Sequence, residues 1–180
     1  MSEWNIKTSK GKLFWGDARQ KVGNIPEQTT FDLIFLDPFS PKQCPELWSE
    51  DFLHKLIGKL THNGRILTYS RAAAIRGSLR RGGLEIKSLS PNSSTSKEWS
   101  LGTIGIKGFT KNKHSLWNCL SKMEEEHLLT RAGVPYRDPT GQSISTEILK
   151  RRENEQNQCN LKSTNSWRKR WIKTNISPKR

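Results

Sequence analysis

Residues 31–49 read FDLIFLDPFSPKQCPELWS. The first six are almost continuously apolar and of strand length, the pattern of a parallel strand covered on both faces. That predicts a strand near the centre of a sheet, broken abruptly by Asp37, Pro38 and Phe39. Ser49 then caps a helix whose first turn carries Glu50 and Asp51, favourable at the positive end of the helix dipole. Phe52, Leu53, Leu56, Ile57 and Leu60 share one face of it, and His62, Asn63 and Gly64 are expected to end it. A strand over 65–70, a helix over 71–81 closed by Gly82 and Gly83, and a strand over 84–89 follow. Strand, helix, strand, helix, strand predicts an α/β sheet with right-handed crossovers, a Rossmann-like half.

Outward from this unit the signals weaken. Upstream, 12–15 reads as a short strand running into Gly16 and Asp17, with a helical turn over 18–22. Downstream, 91–100 is a Ser-rich loop and 101–109 a final antiparallel strand. Gly102, Gly105 and Gly108 have no helix after them, so they are read as sites of close backbone packing instead of a phosphate cradle. Helices are expected over 114–130 and 145–157, separated by the turn VPYRDPTG. Residues 150–180 hold ten Lys or Arg against Glu153 and Glu155. The expected organisation is a sheet domain over 1–110, a helical extension over 111–158 and a basic tail over 159–180.

The 180 residues suffice for one domain with a real core and an extension. Only 32% are hydrophobic and the mean hydropathy is -0.77, so part of the chain is expected to be solvated. With 31 Lys and Arg against 17 acids, the net charge of +14 favours a polyanionic partner, nucleic acid ahead of anionic lipid. No run approaches the roughly 20 apolar residues of a membrane span, and MSEWNIKTSKGK lacks a secretion signal's apolar stretch. A soluble, cytoplasmic chain with no membrane partner is expected. Cys44, Cys119 and Cys159 lie far apart, and His54, His62, His114 and His127 form no ligand motif, so no metal is expected.

Ligands of open α/β sheets gather beyond the carboxyl ends of the strands. Asp37 there can hold an amine or a cation, Pro38 fixes the backbone, and Phe39 offers a face for a base to stack on. The plainer alternative is an ordinary Asp-Pro turn with Phe39 capping the core. Trp15, Gly16 and Asp17 place a second carboxylate at a strand end.

WGDAR at 15–19, the stretch 31–49, and GRILTYSRAAAIRGSLRRGGLEI at 64–86 resemble the methyltransferase domain of the MnmC family. EHLLTRAGVPYRDPT at 126–140 and SWRKRW at 166–171 are similar to the C-terminal part of its single-domain, cyanobacterial-type members. That family makes 5-methylaminomethyluridine at the wobble position of tRNA. The resemblance implies a partial class I methyltransferase sheet with helices on both faces and a basic C-terminal extension. It also implies S-adenosyl-L-methionine as cofactor, tRNA as partner, and methyl transfer to the exocyclic amine of 5-aminomethyluridine. By the same analogy Gly16, Asp17 and Ala18 bind the cofactor, Asp17 accepting from the adenine amino group. Asp37 meets the substrate amine, as a base or as a positioning group, and Pro38, Phe39, Ser70 and Arg71 frame the substrate. Arg168, Lys169, Arg170 and Trp171, with Trp167, would contact tRNA; the plain alternative is a disordered basic tail. Arg71, Arg76, Arg80 and Arg81 form a second basic candidate surface.

The chain departs from the family in one respect. The glycine-rich turn that grips the cofactor's methionine end, and the next strand with its ribose-binding acid, are not found before Trp15. In the family's sheet those first two strands separate the third from the fourth. Their omission would detach 12–15 and bare one edge of 31–36. Weak cofactor binding by these residues alone is therefore expected. Three arrangements are compatible with this: a methyltransferase whose glycine-rich part is encoded upstream, a subunit that completes its sheet with a second polypeptide, or a noncatalytic RNA-binding fragment. A DNA or protein amine methyltransferase is a further alternative, disfavoured by the SPKQCPELWS continuation.

Overall fold

The computed structural model describes residues 2–89, 101–108 and 117–175, with side chains through Trp171. Its centre is a five-stranded mixed sheet in the order β3-β4-β6-β5-β7, made of β3 (Phe31–Phe35), β4 (Leu60–Thr68), β5 (Leu84–Leu89), β6 (Gly102–Lys107) and β7 (Trp117–Cys119). A separate antiparallel hairpin pairs β1 (Ser2–Ile6) with β2 (Ser9–Leu13). The helices are α1 (Ala18–Lys21), α2 (Glu50–Gly58), α3 (Ala73–Arg81), α4 (Lys122–Leu128), α5 (Ser145–Gln158) and α6 (Thr164–Asn175).

The strand-helix-strand core follows the sequence reading. β3 pairs parallel with β4 through α2, whose cap is Ser49 accepting from the Phe52 amide at 3.2 Å. β5 lies where expected, and β6 inserts antiparallel between β4 and β5. The glycines of β6 allow that insertion: a Cβ at Gly102 would stand 2.5 Å from the Thr68 carbonyl oxygen, and one at Gly105 would stand 2.7 Å from Leu84. Leu53, Ile57, Ile66, Ile75, Leu79, Ile86, Tyr136 and Ile148 belong to the large apolar cluster joining the sheet to α2, α3 and α5. A smaller cluster holds Ile104, Ile106 and Trp117.

Several boundaries differ from expectation. α2 ends at Gly58, and His62 to Gly64 lie inside β4, where Asn63 at φ 71 and Gly64 accommodate a register shift against β3. The expected strand at 12–15 is displaced to Ser9–Leu13 and pairs with residues 2–6, which read as no element. The expected helix over 114–130 is replaced at its start by β7; residues 114–116, like the predicted loop 91–100, lie outside the described residues. β3 is an edge strand. Among the described residues it pairs with β4 alone, and Phe31, Leu33 and Phe35 are exposed, the last by 73%. The expectation of a central, doubly covered strand is corrected accordingly. Residues 164–175, read as solvated tail, form α6 against α4.

Candidate active site

At the carboxyl end of β3 the backbone passes through Leu36, buried in the core, to Asp37, Pro38 and Phe39. Two side chains from other positions fix this turn. The Tyr69 hydroxyl donates to the Pro38 carbonyl at 2.9 Å, and the Trp48 indole N–H donates to the Phe39 carbonyl at 2.7 Å. Trp48 is fully buried and packs edge-on against Tyr69 with ring centroids 5.9 Å apart. Tyr69 stands at the end of β4, next to β3, so adjacent strand ends hold one turn from two sides. Asp37 is left exposed and Phe39 is 78% exposed.

Asp37, Pro38, Phe39, Ser40, Cys44, Leu47 and Tyr69 line one open cleft of about 670 Å³. An exposed aromatic ring beside an exposed carboxylate, on an immobilised backbone, suits a planar ligand that carries an amine. Burial raises the Tyr69 phenol above its ordinary pKa and the nearby Asp37 charge adds to it, so the hydroxyl remains a donor at neutral pH. Burial likewise raises the Cys44 thiol, which keeps it protonated.

The Asp17 turn leads into α1, which contacts the turn over Pro45–Trp48 that follows Cys44. Gly16 at φ +114 turns the chain, a conformation other residues rarely adopt. Asp17 caps α1 by accepting from the Arg19 amide at 2.9 Å, and the Arg19 side chain donates to both its oxygens. That fork holds the Asp17 carboxyl below its ordinary pKa. Ala18 is exposed beside it. Arg19 also donates to Asp138, at 2.6 Å, and to the Ser143 carbonyl at 2.9 Å.

Among the other expected site residues, Ser70 is buried, and its carbonyl accepts from the Thr103 hydroxyl at 2.6 Å. It supports the strand end from below, while Arg71 next to it is exposed. The second basic surface does not form as expected. Arg76 is buried and paired with Glu124 at 2.8 Å, Arg80 pairs with Glu125, and Arg81 with Glu50. In α6, Arg168 and Lys169 are exposed, whereas Arg170 and Trp171 both donate to Glu126. Trp167 is 5% exposed, donates to the Met123 carbonyl and stacks on His127 with centroids 4.3 Å apart, so it is a core residue and no stacking platform. Tyr69, Trp48, Arg19 and Asp138 were missed from the sequence as site-building groups. Tyr69 and Trp48 adjoin motif residues, but nothing in the linear pattern links Arg19 to a partner 119 positions later.

The strand-end turn at Asp37 is thus held by Tyr69 and Trp48, and the Asp17 turn by Arg19, itself tied to Asp138. Residues 2–99 match the model of a family described as S-adenosyl-L-methionine-dependent methyltransferase. The chain belongs to that family. It is 31% identical over 78% of its length to the uncharacterized protein MJ0670 of Methanocaldococcus jannaschii, of which it covers 37%. It is 35% identical over 75 residues to the tRNA 5-methylaminomethyl-2-thiouridine biosynthesis bifunctional protein MnmC of an Azoarcus species, covering 42% of this chain and 12% of that protein. The crystal structure of MNMC2 from Aquifex aeolicus superposes with a TM-score of 0.74 at 26% identity, over 88% of this chain and 48% of that one. The chain therefore spans less than half the length of these relatives. The expected MnmC-like family and α/β methyltransferase fold both stand. No helix among the described residues is long and apolar enough to cross a membrane.

Proposed function

We propose that this chain contributes the substrate-facing half of a tRNA methyltransferase, one that methylates the exocyclic amine of a wobble 5-aminomethyluridine. The observation that carries the reading is the turn at Asp37, Pro38 and Phe39, with both following carbonyls pinned by Tyr69 and Trp48 in an open cleft.

S-adenosyl-L-methionine supplies the transferable methyl group when bound. The donor set fits its adenine end: the Asp17 carboxylate is partly exposed, accepts hydrogen bonds, and stands beside the exposed Ala18 backbone. Asp37 accepts from the substrate amine and orients its lone pair. The amine must be neutral when it attacks and becomes a cation afterwards, which a neighbouring carboxylate stabilises. Phe39 stacks on the uracil ring and Pro38 prevents the turn from yielding. Exposed Arg168 and Lys169 offer charge to the tRNA backbone.

The bared edge of β3 supports a second element of the reading, a polypeptide partner that pairs with it and completes the cofactor site. The test uses the protein purified from its own cells together with whatever copurifies. Labelled methyl groups should enter bulk tRNA in preference to DNA or protein, and Asp37→Ala should abolish the transfer. Equal labelling of DNA or protein, or full activity of Asp37→Ala, would refute the proposal.

A further inference from the structure

We infer that Arg19 and Asp138 form a positioning pair that aims the Asp17 carboxylate, so that purine selectivity at the cofactor site is set from the C-terminal part of the chain. The inference rests on the reading of Asp17 as the acceptor of the adenine amine.

Asp138 is 1% exposed, and it is the fixed end of the arrangement. One of its oxygens accepts from the Ser143 amide at 3.0 Å and the other from Arg19 Nη1 at 2.6 Å, while its own amide donates to Asp51 at 2.7 Å. A buried carboxylate without its cation is strongly unfavourable, so Arg19 has one favoured placement. A second contact reinforces it: the Gln20 side chain donates to the Gly141 carbonyl at 2.9 Å. The turn over 138–143 therefore grips the two residues that follow Ala18.

From that placement Arg19 directs its Nε and Nη2 hydrogens to Asp17, and its backbone amide adds a third donor. A carboxylate has about four acceptor sites. Three donors engage Asp17 through four contacts, Nε being shared at 3.2 Å from Oδ1 and 3.1 Å from Oδ2, so the directions in which it can accept from a ligand are fixed. Without Asp138, the Asp17 and Arg19 side chains would form a local pair on a solvated turn, and such pairs hold geometry weakly. The latch converts a mobile carboxylate into an aimed acceptor.

The test titrates the chain at millimolar concentration with adenosine and with purine riboside, which lacks the 6-amino group, and follows the amide resonances of residues 16–19. A charge-assisted hydrogen bond to the amine predicts a preference for adenosine of about tenfold in the wild type. Asp138→Asn keeps the shape, removes the charge, and should reduce the preference to about threefold or less. Arg19→Lys reaches one carboxylate at a time, should do the same, and carries the test alone if Asp138→Asn does not fold. A merely structural role would weaken both nucleosides alike and leave their ratio intact, and an unchanged ratio in the folded variants overturns the inference. A wild type that shows no preference, or no shifts with adenosine, overturns the Asp17 reading itself and the inference with it.

Discussion

Glu124→Ala removes the carboxylate beneath a guanidinium that has no route to solvent. Arg76 is 1% exposed and Glu124 4%, and their contact at 2.8 Å joins α3 to the first turn of α4. Arg76 also donates to the Thr103 hydroxyl at 2.8 Å and to the Gly102 carbonyl at 3.2 Å, so truncating Glu124 leaves a buried cation without its paired carboxylate. Breaking such a pair from one side costs about 3–5 kcal/mol. Glu124 also accepts from the Ser121 amide and hydroxyl in a capping box, whose loss adds about 1 kcal/mol. The expected total, about 4–6 kcal/mol, is a large share of the 5–15 kcal/mol typical of a folded domain. Urea denaturation followed by circular dichroism should show a fall in midpoint at constant slope. Replacing both partners, Arg76→Met with Glu124→Leu, should recover most of the loss, because two apolar side chains of similar volume leave no charge behind. A cost below about 1 kcal/mol for Glu124→Ala, or a double variant worse than the single one, would show that the pair is hydrated and the reasoning wrong.

Tyr69→Phe frees the Pro38 carbonyl; it should cost about 1 kcal/mol or less in stability yet lower the methyl-transfer rate at saturating tRNA, and an unchanged rate would remove Tyr69 from the site. His127 is held below its ordinary pKa by burial and by Arg76. Its folded value lies below the unfolded one, so its contribution is fully present above the unfolded pKa, about 6.5, and is lost as pH falls toward the folded value. The thermal midpoint should therefore drop between pH 7 and 5, and His127→Phe should flatten that dependence. Calorimetric titration of the purified chain with S-adenosyl-L-methionine should give binding weaker than micromolar, and micromolar affinity would sink the view that the cofactor site is incomplete.

Much of the fold is written in local pattern. The apolar run of β3, the Ser49 cap and the spacing of Phe52, Leu53 and Ile57 all point to the same unit, and the structure builds it. The misreadings share a physical cause. His62 to Gly64 look like a helix stop because Asn and Gly favour turns, but in β4 they serve a register shift enforced by the backbone of β3. Ser2 to Ile6 carry no strand signal of their own, and pair because Lys7 at φ 49 folds them onto Ser9–Leu13. Arg76 and Trp167 read as surface cation and stacking ring because residue type reports what a side chain can do in water. Both lie in the interior, where Glu124 and the Met123 carbonyl satisfy them, and those partners are tertiary. The candidate site was legible as Asp37 and Asp17, while the groups that immobilise them were not.

The edge of β3 ties the fold to the function. A strand with Phe31, Leu33 and Phe35 exposed, and with β4 as its one described partner, would be a poor choice for an isolated surface, since such edges recruit other strands. The same strand delivers Asp37 to the cleft, so a polypeptide paired with its free edge would lie close to Asp37. If the partner proposed for β3 also carries the rest of the cofactor site, sealing the edge and completing that site are one structural problem. A polypeptide that pairs with β3 should raise the chain's solubility and its affinity for S-adenosyl-L-methionine together. A partner that improves one without the other would separate them.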